Sequence, residues 1–200
     1  EEFHVKLKNK NNLELPKDKK IIFLMFTNQK FNLNFLNILE KIVSKLDNIL
    51  FLMLDSFNNN QKNIINNKLK NVKYIKFCSH YLYCSYMNCS DIVLDTYPFG
   101  GCNSSLEALS LGKIVITLPS KYLPGRFTLG FYKKMNIMEP VVYNSNEYVN
   151  KTIEYLTNED SRNKIENKIK LNKNVLFNDI DSLKNWQNML INIYNEKINK

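Results

Sequence analysis

The stretch Asp91-Ile-Val-Leu-Asp-Thr-Tyr-Pro-Phe-Gly-Gly-Cys-Asn-Ser-Ser-Leu-Glu-Ala-Leu-Ser-Leu-Gly112 decides how the chain folds. It begins as a short apolar strand, Asp91–Leu94, and breaks at the loop Asp95–Gly101. It resumes as a helix, Asn103–Leu111, closed by Gly112, glycine being the usual residue just past a helix end. Gly100-Gly101 lets the backbone approach a ligand closely and adopt positive φ. The helix that starts at Cys102–Asn103 turns its free N–H groups and positive dipole end to the same point. Asn103, Ser104 and Ser105 add short side-chain donors. Together these residues form an anion cradle suited to a diphosphate. Glu107 lies one turn further on the same face, where a carboxylate can accept both hydroxyls of a ribose. The same letters also describe an ordinary turn with an N-cap, and the dipole alone favours an acidic residue in a first turn. No G-x-G-x-x-G or Walker sequence is present, which argues against dinucleotide and P-loop sites.

Outward from this segment the same alternation repeats. Ile21–Phe26, Ile49–Leu54 and Val72–Phe77 are apolar runs of strand length, and Ile114–Leu118 is another, stopped by Pro119. Between them, Phe31–Leu46 spaces Phe31, Phe35, Leu36, Ile38, Leu39, Ile42, Val43 and Leu46 at helical intervals. Asn58–Lys70 is a polar, helical connection, and Tyr81–Cys89 is an aromatic-rich helix. The remainder is mostly helical, and Asp181–Ile198 places Leu183, Trp186, Leu190, Ile191 and Tyr194 on one stripe. Strands alternating with helices predict an α/β fold, a doubly wound Rossmann-like parallel sheet covered on both faces. Such sheets bind ligands at the carboxyl ends of their strands. Residues 1–19 are polar and are expected to be a linker or lead-in, with residues 20–200 forming one Rossmann-like domain and its C-terminal helices.

Composition narrows the function. An apolar share of 44% and an aromatic share of 12% belong to a chain with a packed core. No apolar run approaches the roughly 20 residues that span a bilayer, so no membrane partner is expected. The net charge of +9 is nearly all lysine, with Arg126 and Arg162 as the two arginines. It reads as a solvated basic surface rather than a nucleic-acid face, and it suits a diphosphate-bearing ligand. Cys78, Cys84, Cys89 and Cys102 contain no CxxC pair, and His4 and His80 stand far apart. Neither a zinc site nor a disulfide framework is expected. Asn88, Asn103 and Asn150 each open an N-x-S/T triplet. A glycan on Asn103 would block the cradle, which favours a cytoplasmic or nuclear compartment.

The segment from Asp91 through Pro119 resembles the diphosphate–ribose segment of the O-GlcNAc transferase / SPINDLY family and its bacterial tetratricopeptide-linked relatives. Its continuation, Ser120-Lys-Tyr-Leu-Pro-Gly-Arg126-Phe-Thr-Leu-Gly130, is similar to a further family stretch, which brings in Arg126. The likeness extends over residues 17–199 and is strong over 90–137. It implies the C-terminal half of a GT-B-type glycosyltransferase, acting without a cofactor or metal. The implied donor is UDP-GlcNAc and the implied acceptor a protein Ser or Thr. GDP-fucose as donor, or a nucleotide-sugar-binding module without catalysis, are the alternatives. The partners implied are an N-terminal catalytic half and tetratricopeptide repeats upstream, so the chain is expected to be a C-terminal fragment, or a degenerate half, without full activity alone.

The resemblance also assigns residues. Phe26-Thr-Asn-Gln-Lys30-Phe-Asn-Leu-Asn-Phe-Leu36 is similar to the segment whose lysine binds the diphosphate, making Lys30 the candidate catalytic cation. A cation at a strand end offsets charge growing on a departing diphosphate; a solvated loop lysine is the plain alternative. The family carries Gln shortly before this Lys, and here Phe26 takes that place, leaving Asn28 or Gln29 to serve. The nucleoside is expected against Phe77–Tyr83, with backbone contacts from Cys78, a phosphate contact from His80 and a nucleoside contact from Tyr83. Tyr81 and Tyr83 as core aromatics are the alternative.

Overall fold

The structure is a computed structural model that describes residues 7–198. Five strands form one sheet: β1 (Lys20–Leu24), β2 (Ile49–Leu54), β3 (Val72–Ile75), β4 (Ile92–Leu94) and β5 (Val115–Ile116). Every pairing is parallel and the order is β3-β2-β1-β4-β5. The helices are α1 (Leu33–Val43), α2 (Asn59–Lys68), α3 (His80–Asn88), α4 (Asn103–Ser110), α5 (Phe127–Met135), α6 (Ser145–Thr157), α7 (Glu159–Asn172) and α8 (Ile180–Ile198). Helix α1 packs with α2 and α6, and α4 packs with α3, α5 and α7, with α6 and α7 also in contact where the chain passes from one to the other. The fold is therefore the doubly wound α/β arrangement that the strand–helix alternation predicts.

Continuous apolar runs become strands here because both faces of a parallel sheet are covered. Ile21, Ile22, Phe23 and Leu24 in β1 and Phe51, Leu52 and Met53 in β2 are all buried. Each such side chain contributes about 1.5–3 kcal/mol on leaving water. Phe26 follows β1 into a cluster with Phe31, Phe35 and Phe57, its ring centre 5.3 Å from that of Phe57 and 5.7 Å from that of Phe35. Several predicted strands are trimmed at their ends. Met25 and Phe26 leave β1, and Lys76 and Phe77 leave β3, with Phe77 81% exposed. β5 keeps two residues of the predicted five.

The segment ahead of β1 is not detached. Leu13 and Leu15 are buried in the core, and the Lys8 amide donates to Ser85 Oγ at 3.2 Å. At the other end, α8 buries no residue. Its apolar stripe lies open, with Leu183, Trp186 and Tyr194 each more than 60% exposed. Periodicity marked the helix correctly, but nothing in the described residues covers it.

Candidate functional site

The sheet order places the chain's topological switch point between β1 and β4, which run side by side with Leu24 opposite Leu94. Connections leave these two strands in opposite directions, so their carboxyl ends open a crevice. Three sequence-predicted residues from separate segments meet there. Lys30 comes from the turn after β1, Tyr83 from α3 and Ser104 from the first turn of α4. With Leu24, Met25, Phe26, Thr27 and Leu54 they line a cavity of about 70 Å³.

Lys30 is held rather than splayed into solvent. Its ammonium donates to the Met25 carbonyl at 3.3 Å and stands 5.4 Å from the centre of the Phe99 ring. Burial pulls its pKa below the ordinary lysine value, partly offset by the negative charge of Asp95. A half-buried cation that has lost part of its hydration gains more from an incoming anion than a fully solvated one.

The start of α4 answers the question left open by its letters. In α1, α2, α3, α6 and α7 the N-cap side chain accepts a backbone N–H. In α4 the N-cap is Cys102 and no side chain caps the helix. Despite the run Asn103-Ser104-Ser105, no local side-chain oxygen accepts from the first N–H groups of the helix, and Asn103 is exposed. Gly101 allows the close turn: a Cβ there would collide with the hydroxyls of Ser104 and Ser105 and lie 3.0 Å from the Met25 methyl. A Cβ on Gly100 would press the Asp95 carboxylate at 3.0 Å.

Ser105 requires a correction. Its side chain is fully buried and its hydroxyl pairs with Thr128 Oγ1 at 2.8 Å, so it supports the loop and offers no donor to a ligand. Glu107 is not idle either: its Oε1 lies 2.8 Å from His80 Nε2, with Cys84 Sγ 3.5 Å from the same nitrogen. His80 and Glu107 thus converge from α3 and α4 on one side of the crevice. Tyr83 lines the cavity while its ring packs edge-on against Phe23 at 5.2 Å. Cys78 is half-buried ahead of α3. Arg126 is exposed and donates from Nη1 to the Ser120 carbonyl at 3.0 Å, tying its own loop.

Sequence reasoning missed Asp95. This carboxylate is 2% exposed and accepts three hydrogen bonds. The Gly101 amide donates to Oδ1 at 2.6 Å, and Thr117 and Thr128 hydroxyls donate to Oδ2 at 2.9 and 2.7 Å. The Tyr148 hydroxyl donates to its carbonyl at 2.6 Å. Burial nonetheless pushes its carboxyl above the ordinary carboxylate range, against the pull of these donors and of Lys30. The available signal was a carboxylate ending a wholly apolar strand. Among the described residues no three His, Cys, Asp or Glu side chains are grouped as a metal site would require, and no helix is long and apolar enough to cross a membrane.

No protein-family model and no curated protein matches the chain. Solved structures do. An O-GlcNAc transferase mutant from Thermobaculum terrenum superposes with a TM-score of 0.74 at 18% identity, over 82% of this chain and 33% of that one. Sucrose-phosphate synthase from Thermosynechococcus elongatus gives 0.67 at 13% identity, over 94% and 48%. A TarM mutant of S. aureus, solved with UDP, fondaparinux and alpha-GlcNAc-glycerol, gives 0.66 at 18%, over 92% and 37%. The chain shares its fold with one Rossmann-like half of GT-B glycosyltransferases. It spans less than half the length of each of these structures.

Proposed function

We propose that the chain is the donor-binding half of a nucleotide-sugar glycosyltransferase that transfers GlcNAc from UDP to a protein Ser or Thr hydroxyl. One observation carries the proposal: the uncapped start of α4 and the half-buried ammonium of Lys30 face one crevice at the switch point of the sheet. Two independent sources of positive potential converge there, which is what a diphosphate needs. The cavity of about 70 Å³ would take a phosphate-sized group; the nucleoside would lie across the rim, its ribose towards Glu107 and its base towards Cys78 and Tyr83.

The chemistry follows from charge. When the glycosidic bond to the donor breaks, the departing diphosphate gains a second negative charge. Lys30 and the α4 N–H groups stand where that charge grows, doing by fixed dipoles and an ammonium what a divalent ion does elsewhere. Interactions that strengthen as the bond breaks raise turnover rather than ground-state affinity. Acceptor contacts and the base that deprotonates the hydroxyl would come from a companion N-terminal half, with tetratricopeptide repeats beyond it.

Calorimetry with UDP, UDP-GlcNAc, GDP and GDP-fucose tests the reading. Binding of the uridine ligands over the guanosine pair supports it, a reversed order assigns a fucose donor, and no binding by any of the four defeats the donor site.

A further inference from the structure

Asp95 stands at the meeting point of three elements. Through the Gly101 amide it fixes the turn before α4, through Thr117 the end of β5, and through Thr128 the first turn of α5. Neither α4 nor α5 has a side-chain cap, and this buried carboxylate lies at the start of both. The pattern of protons is determined by valence. An ionised carboxylate only accepts, so Thr117 and Thr128 give it their hydroxyl protons. Thr128 then has no proton left for Ser105, and Ser105 must donate to Thr128 across their 2.8 Å contact. One charge thereby orients a chain of groups beneath the cradle. The same loop folds back so that the Thr96 hydroxyl donates to the Phe99 carbonyl, which sets the Phe99 ring against Lys30.

We propose that Asp95 is a positioning residue of the donor site: it fixes the Gly100-Gly101 turn and supplies the counter-charge for Lys30, so that the lysine meets an incoming diphosphate already protonated. This rests on the donor-site reading only for the identity of the anion. The other titratable groups nearby are Tyr83 on α3, the His80–Glu107 pair, and Tyr132 on α5 and Tyr148 on α6, which both feel the Asp95 charge. Burial raises the pKa of all three tyrosines, so they stay neutral through the range in which Lys30 titrates. The backbone brings Asp95 towards Lys30: the ammonium bonds the Met25 carbonyl, the Met25 amide donates to the carbonyl of Leu94 next to Asp95 at 3.3 Å, and Gly101, which donates to the Asp95 carboxylate, packs against the Met25 methyl.

The test follows Lys30 itself, with no nucleotide present. Trace acetylation by acetic anhydride across a pH series, read by mass spectrometry against exposed Lys164 in the same chain, reports the fraction of neutral amine. Asp95→Asn keeps the shape and the acceptor for Gly101 but removes the charge. It should move the Lys30 profile to lower pH and raise its relative reactivity at least about threefold below the midpoint, the scale of a lost neighbouring counter-charge. Asp95→Ser removes the same charge and leaves a hydroxyl oxygen in the loop; it should move the profile the same way, and it decides the matter alone if Asp95→Asn does not fold. An unmoved profile in a folded variant would overturn the proposal, leaving Asp95 a loop support. A moved profile in a protein that binds no UDP would uphold it and defeat the donor-site reading instead.

Discussion

Glu107 on α4 meets His80 on α3 with 2.8 Å between Oε1 and Nε2. The carboxylate assigned to a ribose is therefore already oriented by a neighbour, and a second acceptor oxygen is left for hydroxyls. Glu107→Gln should weaken UDP by about 1–2 kcal/mol through lost charge-assisted hydrogen bonds, while leaving inorganic pyrophosphate affinity unchanged. Parallel titrations of the two ligands check this. Equal losses for both would place Glu107 at the phosphates.

Lys30 gives the pH dependence. Its pKa in the free protein lies below the ordinary 10.5, and a bound diphosphate must raise it by favouring the charged form. Binding therefore takes up a proton between the free and bound values, and UDP affinity falls as pH rises through that window. Calorimetry in buffers of different ionisation enthalpy measures the uptake directly. Lys30→Ala should abolish it and weaken UDP at neutral pH. In an intact two-domain enzyme, Lys30→Ala should lower kcat more than it raises the donor KM.

Gly101 is a packing constraint with a functional consequence. Gly101→Ala drives a methyl into Ser104, Ser105 and Met25. An overpacked site of this kind costs about 1–3 kcal/mol, and here the strain falls on the turn that aims α4. Thermal unfolding should show the loss of stability, and UDP affinity should drop with it. Unchanged melting would mean that the turn has room the structure does not show.

The positive potential proposed here resides in Lys30 and the α4 end, so UDP affinity should be the same with and without EDTA. A tenfold loss on chelation, read by calorimetry, would show that a cation carries the diphosphate.

The sheet was legible because buried parallel strands need no periodicity: runs such as Ile49–Leu54 are apolar throughout, and β2 keeps those bounds. β5 was legible in place but not in length, since only Val115 and Ile116 find ladder partners on β4. In the site, Lys30, Tyr83 and Ser104 were assigned from three distant segments and do converge. Ser105 was legible in retrospect: with Ala108 and Leu109 it falls on the buried face of α4, while Ser104 and Glu107 share the other. Asp95 stood out as a carboxylate ending an apolar strand, but its role was not legible. Its side-chain partners Thr117 and Thr128 lie 22 and 33 residues further on, and only the fold brings those hydroxyls to it. The stripe on α8 was read correctly as a helix face, but periodicity does not say what covers it.

The central claim is that the start of α4 points its free N–H groups at a diphosphate. Calorimetric titration of UDP into the wild type and Ser104→Asp tests it most directly. Ser104 lines the cavity with Lys30, so a carboxylate there sits beside two phosphate charges, and the account predicts a loss of about 2–4 kcal/mol in affinity. Unchanged affinity in a variant whose circular dichroism matches the wild type would contradict it, and the nucleotide would then bind elsewhere or not at all.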